Sequence, residues 1–462
     1  MKLRILCFFM LLSVISVPAQ REITLEDVWQ NGKFQTRVVP DFRFLRDGKH
    51  YSQREGNRIL EYDLVTGRST NVLFDGAAHK LTSIDGYSFS KDESKILIRT
   101  DSEKIYRHST KDYFWVHDRS TDQSIPLYVP AKQQHATFSP DGSRVAFVSG
   151  NNLFVKDLST DNINQITYDG KVNEIINGAG DWVYEEELKF VKAFTWSPDG
   201  SKIAYARFDE SRVREFTMMK YNDDLYPDHV TFKYPKVGEV NSVVSVKIYD
   251  VDRGRTKIVN LGSEEDIYIP RIKWFPNSED LCVFRLNRHQ NHLELLSVKA
   301  RSGKARLILE EKNDYYIDIH DGLTFLPDGK QFIWISESDG YNHLYLYDIR
   351  GRKIRQITTG NFDVTEYYGY DSASGLVYYQ AAARSPLQRE VYAVDLQRRR
   401  TMTIADGMGF QDAQFSSTYD YYVLTSSDVN TPASYTVFQK DGSYVRTLEK
   451  NDGLKATIGI YD

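Results

Sequence analysis

One phrase recurs along this chain and constrains its fold more than any other feature. It is an aromatic residue, a small residue, Pro, Asp, Gly, a polar pair and then an apolar run. Clean copies are Phe138-Ser139-Pro140-Asp141-Gly142 before Val145–Val148, Trp196-Ser197-Pro198-Asp199-Gly200 before Ile203–Ala206, and Phe325-Leu326-Pro327-Asp328-Gly329 before Phe332–Ile335. Weaker copies begin at Phe44, Phe89, Trp274, Tyr370 and Phe415. Proline presets one turn angle and glycine supplies a left-handed position, so each copy predicts a hairpin whose aromatic closes one strand. Two further strands follow each hairpin, as at Asn152 to Asp157 and Asn164 to Tyr168. Four short strands per unit at this period make one propeller blade. The predicted fold is therefore all-β, an eight-bladed β-propeller. An open solenoid of the same units is the alternative architecture.

The spacing of the key aromatics is 45, 49, 58, 78, 51, 45 and 45 residues. The long intervals, 138 to 196 and 196 to 274, must carry insertions, and insertions on a propeller collect binding groups on its loops. Between Gly178 and Phe194 the pattern turns helical, with Asp181 placed to cap a short helix through Leu188. From Phe216 to Gly238 the chain reads as an extended arm. Each Tyr-Pro pair there, Tyr226-Pro227 and Tyr234-Pro235, favours extended backbone before the proline.

Composition narrows the function classes. Lys plus Arg total 59 against 64 Asp plus Glu, a balance that argues against a nucleic-acid partner. Lys2 and Arg4 precede an apolar run from Ile5 to Val17 and the small residues Val17-Pro18-Ala19, the pattern of a cleaved signal peptide. The expectation is an exported protein, periplasmic or extracellular, with no membrane anchor after cleavage. Removing that segment leaves Cys282 as the lone cysteine, so no internal disulfide is expected, and Cys282 reads as a small buried hydrophobe. The expected boundaries are a signal peptide at 1–19, a lead-in at 20–41, the propeller at 42–450 and a tail at 451–462.

The three adjacent carboxylates Glu185, Glu186 and Glu187 admit two readings. Acidic residues in a short helix suit its partial positive charge and a solvated face. Neighbouring carboxylates aimed into a cavity would instead hold one protonated amine through charge-assisted hydrogen bonds. A free peptide amino terminus, titrating near pH 8, is such a cation.

The string Asn177-Gly178-Ala179-Gly180-Asp181-Trp182-Val183-Tyr184-Glu185-Glu186-Glu187 resembles the signature of the dipeptidyl peptidase IV group of prolyl-oligopeptidase-type serine peptidases. The resemblance implies that Glu186 and Glu187 bind the substrate's amino terminus. Tyr106-Arg107-His108-Ser109 resembles a second family segment and implies that Arg107 hydrogen-bonds substrate carbonyl groups. The 216–238 stretch is similar to the family's propeller arm, which implies a homodimer formed through residues including Tyr226, Pro227, Tyr234 and Pro235. A weaker likeness at Asp339-Gly340-Tyr341-Asn342-His343 suggests Tyr341 near extended substrate subsites, although Asn342 stands where the family sometimes carries arginine.

No Gly-x-Ser-x-Gly occurs, so the nucleophile turn of an α/β-hydrolase is missing and no catalytic residue is assigned. The family's hydrolase domain follows its propeller, and the likeness fades after Leu448. The expectation is a truncated serine dipeptidyl peptidase that retains peptide binding and by itself hydrolyses nothing. The whole enzyme would release X-Pro or X-Ala dipeptides. A stand-alone peptide- or protein-binding propeller is the rival. No cofactor is expected and no metal: His289 and His292 have H-x-x-H spacing, but in a strand-turn context without the helix a zinc motif needs. Arg398-Arg399-Arg400 is expected to be a solvated turn.

Overall fold

The computed structural model describes residues 22–461, so the expected signal peptide lies outside the described residues. Eight antiparallel sheets follow one another along the chain, and a separate two-stranded ribbon brings the total to nine sheets. In each of the eight blades the strands lie side by side in chain order. The propeller strands run from Arg43–Phe44 to Tyr444–Glu449. All eight repeated aromatics fall at or beside the end of the innermost strand of a blade, as the repeat predicts.

The turns explain the phrase. Ser139 Oγ donates to Asp141, and the Ser143 and Arg144 amides donate to Asp141 Oδ1 and Ser139 Oγ, at 3.1 and 2.9 Å. Gly142 takes φ +69° and its amide closes the turn on the Ser139 carbonyl. Three of the five weaker copies hold the same left-handed position with Glu93, Ser278 and Tyr419 in place of glycine, which makes them hard to see in the sequence, whereas the Phe44 copy keeps Gly48.

A blade's middle strands are covered on both faces by neighbouring blades, so they read as continuous apolar runs instead of alternating ones. Arg144–Ser149 and Asn152–Asp157 are buried almost throughout, whereas the outer strand Ile163–Gln165 is largely exposed. Tryptophans stitch adjacent blades. Trp196 Nε1 donates to the Thr137 carbonyl of the third blade, and Trp274 Nε1 to the Thr195 carbonyl of the fourth. The ring closes through side chains, not a shared strand. Phe42, Tyr51 and Leu64 of the first blade pack with Val423 and Val437 of the eighth. Asn451 clamps the junction by accepting from the Arg37 amide and donating to the Arg37 carbonyl.

Both long intervals carry insertions, as expected, and both belong to the fourth blade. Its innermost position is shared by Ile175–Asn177 and Phe194–Trp196, each paired with Lys202–Asp209, and the intervening chain bulges out to form the helix. The second insertion is the ribbon of Glu215–Lys220 paired with Asp228–Lys233.

Candidate functional site

The inserted helix spans Trp182–Glu186, shorter than the sequence reading. Asp181 caps it: the side chain accepts from the Tyr184 amide at 2.9 Å and also from Ser242 Oγ. Burial pushes the Asp181 carboxyl above its ordinary range. Tyr184 is buried and its hydroxyl accepts from the Ile269 amide at 2.9 Å, while Arg271 donates to the Leu188 carbonyl. A helix of five residues has almost no stability of its own, so these contacts with the fifth blade fix its orientation.

The three glutamates have three different environments. Glu185 is 1% exposed, so the solvated-face reading fails for it. Its Oε1 accepts from the backbone amides of His108 and Ser109, at 2.5 and 2.9 Å. Those residues belong to the hairpin between Lys95–Lys104 and Thr110–Asp118 of the second blade, so a carboxylate of the fourth blade holds the Arg107 turn across the ring. Glu186 is partly buried, and its Oε2 meets Arg107 Nε at 3.0 Å. Glu187 ends the helix with an exposed side chain that has no ion-pair partner among the described residues. Arg107 and Glu186 are thus brought together, with Glu187 beside them in the chain.

The ribbon's base, which the sequence assigned to a projecting arm, also supports the site. Tyr234 packs on Trp182 of the helix with ring centroids 4.2 Å apart, and Phe232 approaches Tyr106 at 5.8 Å. The two flanks of the site, helix and Arg107 turn, therefore rest on one aromatic cluster. The far end differs: Leu225 is 90% and Tyr226 80% exposed, with Pro227 half-buried beside them. Glu210, just before the ribbon, is buried, and burial followed by repulsion from Asp181 pushes its carboxyl up to about 7.

A cavity of about 350 Å³ opens in the fifth and sixth blades, lined by Glu311, Tyr316, Asp318, Glu337 and Asn342 among others. Burial, with the negative charges of Asp318 and Glu187 adding to it, pushes the Tyr316 phenol above its ordinary value. Apart from Asn342, sequence reasoning missed these lining residues, because they carry no local motif. Tyr341 lies in the turn before His343–Asp348, 37% exposed, next to Asn342 of the lining. No hydrogen bond or ring contact joins Tyr341 to the glutamates among the described residues.

The remaining residues singled out in the sequence lie away from this site. His289 sits exposed in a turn, and His292 begins a strand and pairs with Glu310 at 2.8 Å. Arg398, Arg399 and Arg400 occupy an exposed turn. Cys282 is fully buried, and burial pushes its thiol far up. No helix among the described residues is long and apolar enough to cross a membrane.

Comparison with known proteins bears directly on this arrangement. A family model described as the dipeptidyl peptidase IV (DPP IV) N-terminal region matches residues 90–433. The dipeptidyl peptidase 4 proteins of Trichophyton tonsurans and Trichophyton equinum are each 28% identical over 433 residues, covering 90% of this chain and 55% of theirs. The chain thus spans about half the length of the curated relatives it matches. The crystal structure of Porphyromonas gingivalis dipeptidyl peptidase 4 superposes with a TM-score of 0.90 at 40% identity, covering 96% of this chain and 64% of that one.

Proposed function

Because the chain belongs to the family of dipeptidyl peptidase IV N-terminal regions, we propose that Glu186, Glu187 and Arg107 form a clamp for the free amino terminus of a peptide substrate. The observation that carries this reading is the polarity of the site. Glu186 and the unpaired Glu187 offer carboxylate oxygens to an ammonium group, and Arg107, held against Glu186, keeps guanidinium N–H groups for a peptide carbonyl. Glu185 is excluded from ligand contact because both of its hydrogen bonds go to the Arg107 turn. Rigid placement of both charges is what a clamp requires.

In the whole protein this clamp would act in a serine-type dipeptidyl peptidase. Fixing the amino terminus at a set distance from the scissile bond selects dipeptide release. Export and a homodimer belong to the same proposal. The dimer is supported by the exposed Met218, Met219, Leu225 and Tyr226 along the ribbon. Sedimentation of the chain should show a dimer that Leu225→Asp plus Tyr226→Asp converts to monomer.

The clamp is tested by titrating the chain with a short Gly-Pro-containing peptide in a calorimeter. Glu186→Gln plus Glu187→Gln keeps the shape and removes the charge. The expected loss is about 10- to 100-fold in affinity, one or two charge-assisted contacts. Unchanged affinity would refute the clamp.

A further inference from the structure

Away from this site, two groupings among the described residues bring a histidine together with other ligand-type side chains: His79, His117 and Asp122, and His292, Glu294 and Glu310. The second is already neutralised. Arg285 pairs with Glu294 at 2.6 Å, and Lys312 with Glu310 at 2.8 Å. In the first, Asp122 meets only imidazole: His79 Nε2 lies 3.2 Å and His117 Nε2 3.9 Å from its Oδ1, with no Lys or Arg partner among the described residues.

We propose that His79, His117 and Asp122 form a zinc site that ties the connection between the first and second blades to the outer hairpin of the second. The donor set of two imidazoles and one carboxylate suits a divalent ion of borderline softness, and water would complete a tetrahedron. Zinc bonds of about 2.0–2.2 Å place neighbouring donors about 3.3 Å apart, so the 3.2 Å separation already fits, and the other donors, all within 4.8 Å of one another, close in by side-chain adjustment.

The surroundings fix the ligands. Phe74 stacks on His79 with an interplanar angle of 13° and meets His117 edge-on, both at 4.9 Å between centroids. His117 is buried, and its Nδ1 lies 3.1 Å from Ser124 Oγ. When Nδ1 donates that hydrogen bond, Nε2 presents its lone pair toward the Asp122 carboxylate. Two acceptors then face each other, an arrangement that a cation between them resolves, and the Ser124 contact is the outer partner that metal-bound histidines use. Asp122 is positioned by the turn before it, in which Asp118 accepts from the Ser120 and Thr121 amides. Neither His79 nor His117 belongs to any motif, because the residues meet only when the first blade's connection folds against the second blade.

The test uses the full chain stripped with EDTA and titrated with zinc chloride by calorimetry, alongside thermal unfolding and cobalt(II) absorption spectra. The expected results are one equivalent bound, a raised melting temperature and a tetrahedral cobalt spectrum. His79→Gln and Asp122→Asn, the second at an exposed position where misfolding is not a concern, should abolish all three, whereas His292→Ala should retain them. Ser124→Ala should weaken binding about 10- to 100-fold, the usual range for an outer-shell partner. Absence of saturable binding, or equal binding by His79→Gln and Asp122→Asn, would overturn the proposal.

Discussion

Removing the Glu185 carboxylate isolates the step that connects the two halves of the candidate site. Glu185→Ala deletes two hydrogen bonds, from His108 and Ser109, made to a carboxylate that is 1% exposed. Hydrogen bonds to charged groups contribute roughly 1.5–3 kcal/mol each, so the lower bound for the pair is about 3 kcal/mol. The loss falls on the opening of the Arg107 turn, because the propeller core does not depend on it. At 1.36 kcal/mol per decade, exchange protection of the 105–109 amides should drop about 100-fold. Hydrogen–deuterium exchange with peptide-level resolution measures this directly. Peptide affinity should fall in parallel, with Glu186 and Glu187 still present. Unchanged protection at residues 105–109 would refute the reasoning that Glu185 holds the turn.

Glu210→Gln probes the buried carboxyl beside the ribbon. Its folded pKa of about 7 lies above the ordinary 4.5, so the native state binds the extra proton between those values and stability falls as pH rises through that window. Glutamine mimics the protonated form, so the variant's advantage should grow from near zero at pH 4.5 to about 3 kcal/mol above pH 7 in chemical denaturation. Tyr234→Ala removes the ring on Trp182 and should loosen the ribbon's base, read as faster proteolysis within residues 215–233, at a cost of about 0.5–1.5 kcal/mol beyond lost burial. Asp181→Ala removes the helix cap and should cost about 1–2 kcal/mol in thermal unfolding. Peptide affinity should decline about tenfold per pH unit above pH 8 as the ligand's amine loses its proton, which titration across pH 7–10 would follow.

The repeat made the architecture legible because each blade writes its own hairpin in a few consecutive residues. Even the copies without glycine were recoverable from spacing, although Glu93, Ser278 and Tyr419 disguise the left-handed turn position. The helix and its Asp181 cap were legible for the same reason: capping is local. The division of labour among the glutamates was not. Adjacent letters cannot say that Glu185 faces the second blade while Glu187 ends the helix exposed. Tyr234 read as part of a projecting arm, since a Tyr-Pro pair signals extended backbone but not which ring lies beneath it. Of the cavity residues, Tyr316 and Asp318 share the connection between the fifth and sixth blades while Glu337 follows a strand of the sixth, so their meeting is set by how neighbouring blades pack.

The central claim is that the site recognises a charged amino terminus, and the most direct measurement compares two peptides differing only there. The chain is titrated with a Gly-Pro-containing peptide in its free and N-acetylated forms at pH 7. The account predicts measurable binding of the free peptide and at least a tenfold loss on acetylation, since the acetyl group removes the ammonium and adds bulk between Glu186 and Glu187. Equal binding of both peptides would contradict it and would mark the propeller as a surface that holds peptides without reading their amino terminus.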